Sequence, residues 1–136
     1  MPKTPTPKFP DFLFEHGAER ALFFGSRDWL DPLPIAAYIL ALPSGSTVIN
    51  GGANGADSLA ANLAKDRGLD THTFFADWDR WGKAAGPLRN QQMLDDGKPT
   101  IAFGFVNKPL AQSRGSADMA RRLSAAGIRT YITEKL

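Results

Sequence analysis

Cysteine is absent from this chain, which excludes disulfides, thiolate metal sites and a cysteine nucleophile, and fits a reducing, cytoplasmic address. Histidine is scarce: His16 and His72 stand alone, with no second histidine or glutamate at metal-ligand spacing, so no metal site is expected. The longest strongly apolar run, Ile35 to Leu42, falls far short of the roughly 20 residues that span a bilayer, so no membrane association is expected. Neither G-x-G-x-x-G nor G-x-x-x-x-G-K-[ST] follows an early strand. Ordinary NAD enzymes and P-loop ATPases are thereby disfavoured, and no bound cofactor is expected. A G-x-S-x-G elbow is missing too, and Ser26 and Ser116 have no nearby histidine in sequence, which leaves serine-nucleophile hydrolysis without support.

What is present describes one globular unit. At 136 residues, 43% hydrophobic and 22% charged, the chain has the size and composition of a single domain with one core. Its net charge is +2, but Lys3, Lys8 and Lys135 lie in the terminal segments and supply more than that excess. The body is nearly neutral, which disfavours nucleic acid as a partner. Met1 to Lys8 is proline-rich with a basic start and no apolar stretch behind it. It reads as part of an extended N-terminal arm over residues 1–18 rather than as a secretion signal, with the domain over 19–136.

Period and punctuation then alternate along the chain. Ala21 to Phe24 is a short apolar run stopped by Gly25-Ser26-Arg27, a buried first strand. Asp31 as N-cap and Pro32 at the first helical position open a helix that Pro43 ends. Thr47 to Asn50 runs into Gly51-Gly52, after which Ala56, Leu59, Ala60, Leu63 and Ala64 form one helical stripe closed by Gly68. A third strand, Thr71 to Ala76, leads into a tryptophan-rich loop, and Gly86-Pro87 opens a helix closed by Gly97 and Pro99. A fourth strand, Thr100 to Phe105, a long loop, a helix over Ser116 to Ala126 and a last strand, Ile128 to Thr133, complete five strands and four helices. Such alternation implies an α/β, Rossmann-like, three-layer domain: a five-stranded parallel sheet with right-handed crossovers and helices on both faces. In the order 3-2-1-4-5 the crevice opens between strands 1 and 4, at their carboxyl ends.

Four polar or glycine-rich segments fall at those strand ends. Gly51, Gly52, Ala53, Asn54, Gly55 and Asp57 make a turn whose backbone can approach a ligand, followed by a helix start suited to an anion. Arg27, beside Gly25 and Ser26, and Arg89, beside Asn90, lie where a cation gains nothing from a helix dipole, so a bound phosphate or carboxylate is a reason for them. A solvated arginine or a carboxylate partner such as Asp28 or Asp79 is the competing reading. Gly115 and Ser116 open the fourth segment's helix, and the serine hydroxyls suit phosphate contact. Trp78 and Trp81 could stack on a nucleobase or donate through the indole N–H, against core packing as the alternative, whereas Trp29 reads as structural. For Asp57 and Asp118, in first helical turns, dipole stabilisation competes with a role in the site.

Together, Gly25-Ser26-Arg27, Gly51-Gly52-Ala53-x-Gly55-Ala56-Asp57, Ala76-Asp77-Trp78, Gly82-Lys83-x-Ala85-Gly86-Pro87-x-Arg89-Asn90-x-x-Met93 and Gly115-Ser116-Ala117-Asp118-Met119 resemble the YspA-type branch of the SLOG superfamily. The resemblance spans about Ala21 to Thr133. It implies a Rossmann-like domain that binds nucleotides or nucleotide-derived ligands, often as a homo-oligomer. The superfamily also includes the Lonely Guy phosphoribohydrolases, which cleave the N-glycosidic bond of a nucleoside 5′-monophosphate with an arginine after strand three and a glutamate in P-G-G-x-G-T-x-x-E. Arg89 matches that arginine. Met119 stands at the glutamate position and Ala111-Gln112-Ser113 where those enzymes have Pro-Gly-Gly.

The leading expectation is therefore a module that senses or sequesters a phosphate-bearing nucleotide derivative, with Trp78 or Trp81 on base or ribose. The alternative is a nucleoside monophosphate N-glycosidase with Arg89 and Asp118 in the catalytic roles, since an oxocarbenium-like transition state calls for a carboxylate. In that case Asp118→Asn abolishes turnover while leaving binding largely intact. Single-strand nucleic acid binding, through the basic arm and the aromatic loop, is a third reading.

Overall fold

The computed structural model describes Phe14 and residues 17–135. The expected N-terminal arm and His16 lie, apart from Phe14, Gly17 and Ala18, outside the described residues. Phe14 packs edge-on against Phe103 with ring centroids 6.4 Å apart.

Five parallel strands, β1 (Arg20–Gly25), β2 (Thr47–Asn50), β3 (Asp70–Thr73), β4 (Ile101–Val106) and β5 (Arg129–Glu134), form one sheet in the order β3-β2-β1-β4-β5. Burial follows position in that sheet. Every residue of central β4 is buried, the edge strand β3 alternates between exposed and half-buried, and β5 is half-buried except for exposed Glu134. The polar sequence of β3, Asp-Thr-His-Thr, suits an edge that must not invite further pairing.

Helices α1 (Leu33–Ala41) and α2 (Ala56–Arg67) cover one face. Ile35, Ile39, Ala56, Ala60 and Ala64 pack there on Phe23, Phe103 and Phe105. The alanine stripe of α2 lets that helix lie close to the sheet. The other face is covered by α4 (Ala85–Asp95) and α5 (Arg114–Ala125), whose Met93, Met119 and Leu123 meet Leu22, Phe24 and Ile49. This is the three-layer α/β arrangement implied by the alternation of elements. Among the described residues no helix is long and apolar enough to cross a membrane.

Several boundaries differ from the sequence-based expectation. The third strand stops at Thr73 rather than Ala76, because its one neighbour, β2, ends at Asn50 and leaves no ladder to extend; the last link is the Phe74 N–H to the Asn50 carbonyl at 2.9 Å. The tryptophan-rich loop contains a fifth, short helix, α3 (Trp78–Trp81), capped by Asp77, whose Oδ1 accepts from the Arg80 N–H at 3.1 Å. A 3₁₀ turn, Gly82–Ala84, leads from it directly into α4. Gly86-Pro87 therefore sits inside the first turn of α4, where a proline lacking its N–H costs nothing. Pro32, not Asp31, is the N-cap of α1, and Asp31 instead accepts the Leu33 N–H at 3.0 Å. The last helix begins at Arg114, so Arg114, Gly115 and Ser116 form its first turn.

Candidate functional site

At the carboxyl ends of β1 and β4, where their connections leave in opposite directions, a cavity of about 390 Å³ opens. Phe24, Met93 and Met119 form apolar parts of its wall, and Gly25, Ser26, Ala53, Asn90, Gly115 and Ser116 add small or polar surface. Four cations, Arg27, Arg89, Lys108 and Arg114, face two carboxylates, Asp28 and Asp57. The surplus of positive charge, beside the N–H groups that the first turn of α5 leaves without intrahelical partners, favours an anion.

The loop after β1 is held by its neighbours rather than by its own length. Ser26 donates its N–H to the Phe105 carbonyl at 2.9 Å, and its Oγ accepts from the Asn107 N–H at 3.2 Å. Gly25 and Gly55 allow this closeness. A methyl group at Gly25 would meet the Phe105 carbonyl, and one at Gly55, where φ is +76°, would meet the carbonyls of Ser26 and Arg27.

The glycine turn after β2 is closed upon itself. Asp57, 4% exposed, takes the Gly51 N–H on Oδ2 at 2.7 Å, and the Asn50 side chain takes the Gly52 N–H at 2.9 Å. Burial pushes the Asp57 carboxyl up to about 6, against the opposing pull of the Gly51 N–H and of Arg89. Desolvation dominates because a charge so deep exchanges its water for only a few dipoles. Arg89 lies on α4 with its Nη1 on the Gly51 carbonyl at 2.5 Å and its Nε on Asn90 Oδ1 at 3.1 Å. Burial lowers its pKa, while Asp57 works the other way. Asn90, 4% exposed, carries the link onward: its Nδ2 reaches the Gly115 carbonyl at 3.3 Å and Asp118 Oδ2 at 3.0 Å.

Of the residues singled out in the sequence, Gly25, Ser26, Arg27, Ala53, Asp57, Arg89, Asn90, Gly115 and Ser116 come together on this cavity. Gly51 touches it through Arg89, Gly52 packs against the ring of Phe75, and Asn54 is exposed beyond its lining. Asp118 points to the groove between α4 and α5, held by Arg122 Nε at 2.8 Å and by Asn90. Burial alone would raise its pKa, but the Arg122 and Asn90 hydrogen bonds outweigh it and hold the carboxyl below its usual value.

Trp29 is buried and donates its indole N–H to the Asp31 carbonyl at 2.6 Å, a structural role. Core packing does not account for Trp78 and Trp81, each 48% exposed. Trp78 lies against Gly86 and carries the Arg27 guanidinium 5.3 Å from its ring centre, which places it beside the cavity rim. Trp81 pairs with Arg80 at 4.7 Å, away from the lining. Among the described residues no three His, Asp or Glu gather as a metal set.

The lining residues that sequence reasoning did not assign to the site are Asn107, Lys108, Gln112, Ser113 and Arg114, which opens the fourth strand-end segment, and Asp28, named only as a carboxylate partner for an arginine, besides the apolar wall. All but Asp28 follow β4, in a segment where Ala111-Gln112-Ser113 replaces the Pro-Gly-Gly of the resembled enzymes. Its position at the switch point and its two cations were the available signal.

Comparison with known proteins agrees with this architecture. A model of the YspA, cpYpsA-related SLOG family matches residues 19–81, from β1 through α3. The Gene 61 protein of Mycobacterium phage D29 is 35% identical over 118 residues, covering 80% of this chain and 91% of the phage protein. With that relative matched nearly end to end, and with the family's first strands and glycine turn in place beneath a 3-2-1-4-5 sheet, this chain belongs to the YspA, cpYpsA-related SLOG family.

Proposed function

We propose that the protein binds a phosphate-bearing nucleotide or nucleotide-derived small molecule at the carboxyl end of its sheet and acts by sensing or sequestering it. The observation that carries this reading is the cavity at the strand switch point, which Arg27, Arg89 and Lys108 line together with Arg114, Gly115 and Ser116 of the first turn of α5. Phosphate oxygens would be met by guanidinium groups and by the Gly115 and Ser116 backbone, and half-exposed Trp78 at the rim is available to a base. Membership of the SLOG family supports a ligand of this class.

A hydrolytic reading rests on a different observation, the placement of Asp57 in the cavity with a pKa of about 6 beside Arg89. A carboxyl with that value is matched to general-base work near neutral pH. In an N-glycosidase it would take the proton of the water whose oxygen bonds C1′ as the C1′–N bond breaks, the base would leave with a proton from solvent, and Arg89 would hold the phosphate. Asp118, turned to the neighbouring groove, would need to break its hydrogen bonds with Asn90, Arg121 and Arg122 to contribute.

Thermal unfolding with a panel of nucleoside monophosphates, ADP-ribose and cyclic nucleotides, followed by mass spectrometry of each mixture, tests both. A raised Tm with the ligand recovered intact supports the binding module. Free base with ribose phosphate, lost in Asp57→Asn, supports the enzyme. No shift with any nucleotide overturns both readings.

A further inference from the structure

The guanidinium of Arg89 is held at two points, by the Gly51 carbonyl on Nη1 at 2.5 Å and by Asn90 Oδ1 on Nε at 3.1 Å. The second hold depends on which way round the buried Asn90 amide sits. An asparagine side chain presents an acceptor at one end and donors at the other, and its neighbours decide the orientation. Asn90 Nδ2 lies 3.0 Å from Asp118 Oδ2 and 3.3 Å from the Gly115 carbonyl. Burial works against ionisation of Asp118, but the Arg122 and Asn90 hydrogen bonds keep its carboxyl below the usual value, so at neutral pH it only accepts. With two pure acceptors at the NH₂ end, Asn90 Oδ1 is left facing the Arg89 Nε–H, which only donates.

Asp118 is fixed in turn. Its Oδ2 also accepts from Arg122 Nε at 2.8 Å, its Oδ1 accepts from Arg121 Nη2 at 3.4 Å, and Arg122 Nη1 donates to Gln91 Oε1 at 2.8 Å. A line of hydrogen bonds thus runs from the groove between α4 and α5, through Asn90, to a cation of the cavity. It also braces two parts of the anion site against each other, because Asn90 shares α4 with Arg89 and bonds to the first turn of α5 through Gly115. A guanidinium whose geometry is fixed before an anion arrives loses less rotamer freedom on binding. We infer that Asp118 is a positioning residue: acting through the Asn90 amide from outside the cavity, it holds the Arg89 guanidinium in place for an anion that Asp118 itself does not touch. This inference rests on the anion-site reading.

Two measurements on the full chain test it: calorimetric titration with inorganic phosphate and with AMP, and the arginine Nε–H signals of the protein without added anion in nitrogen–proton NMR spectra, with the Arg89 signal assigned through Arg89→Lys. Asp118→Ala should weaken both compounds about fivefold, the worth of one hydrogen bond, and should abolish the protected Arg89 Nε–H signal. Asp118→Asn, whose amide oxygen can still accept from Asn90 and Arg122, should keep the signal and bind both compounds within about twofold of the unaltered protein. In an Arg89→Lys background, which keeps the charge but has no Nε–H, Asp118→Ala should change either affinity by no more than about twofold. Equal weakening by Asp118→Ala in both backgrounds overturns the positioning role, since its effect is then structural. An Asp118→Ala variant that binds as the unaltered protein does, or that keeps the Arg89 Nε–H signal, overturns the role and leaves the anion site standing. Failure of phosphate and AMP to bind the unaltered protein overturns the anion-site reading itself.

Discussion

The turn after β2 and the segment after β4 both close on the same cavity, yet they are built oppositely. In the first, Gly51 to Asp57, polar groups are matched internally: the Gly51 and Gly52 N–H groups go to Asp57 and Asn50, and the Gly51 carbonyl goes to Arg89. In the second, Asn107 to Arg114, Lys108 and Arg114 line the cavity, and Asn107 keeps an unmatched acceptor. The turn that stands out by its glycines serves the framework, whereas the segment after β4 leaves cationic side chains facing the cavity. Glycine is required where backbone meets backbone, and that need arises in packing as readily as in binding.

The comparison breaks if the first region proves tolerant. Gly55→Ala should have the largest effect, because its φ of +76° and the carbonyls of Ser26 and Arg27 leave no room for a methyl group. A loss of about 3 kcal/mol or more is expected, seen as a Tm lowered by roughly 10 °C.

Next in size is the pH dependence set by Asp57. Its folded value of about 6 lies above the ordinary 3.8, so the folded state holds the proton more tightly than the unfolded chain. The stability contributed by this group is complete below about pH 4 and is lost as pH rises through about 6. The loss is on the order of 2–3 kcal/mol. Chemical denaturation between pH 4 and 7 should show it, and Asp57→Asn should flatten the profile.

For the second region the expectation reverses. Arg114→Ala and Lys108→Ala, both at exposed positions, should change stability by no more than about 0.5 kcal/mol. Each should still weaken anion binding by about 1–2 kcal/mol in a titration at low salt. The smallest effect should belong to Asn54→Ala. That side chain is exposed on the glycine turn and off the cavity lining, so stability should stay within about 0.5 kcal/mol and ligand affinity within about twofold.

Much of the fold was legible because its signals are local. The apolar run Ala21 to Phe24, the alanine stripe of α2 and the stops at Gly68 and Gly127 each mark an element within a few residues. Alternation then leaves few ways to order the sheet. The end of β3 was not legible, since strand length depends on where the partner β2 stops. Nor was the fate of the two carboxylates expected in first helical turns: Asp57 is in the first turn of α2, but α5 begins at Arg114 rather than Ser116, which puts Asp118 in its second turn. Asp57 goes into the cavity and Asp118 goes to Arg122 because their turns pack against different neighbours.

By itself, the sequence determined the class of the fold, the polar and glycine-rich segments that fall at the strand ends and the family to which the chain belongs. These follow from periodicity, turn residues and motifs, all carried by short stretches of chain. Only the tertiary structure decided which of those residues share a cavity, that Arg89 is tied to Gly51 and Asn90, and that Asn107 is left with an acceptor beside Asp28. Asp28 and Asn107 are 79 positions apart. No local pattern joins them. Parallel pairing of β1 with β4 brings their loops together, and burial decides which polar groups are left without a partner.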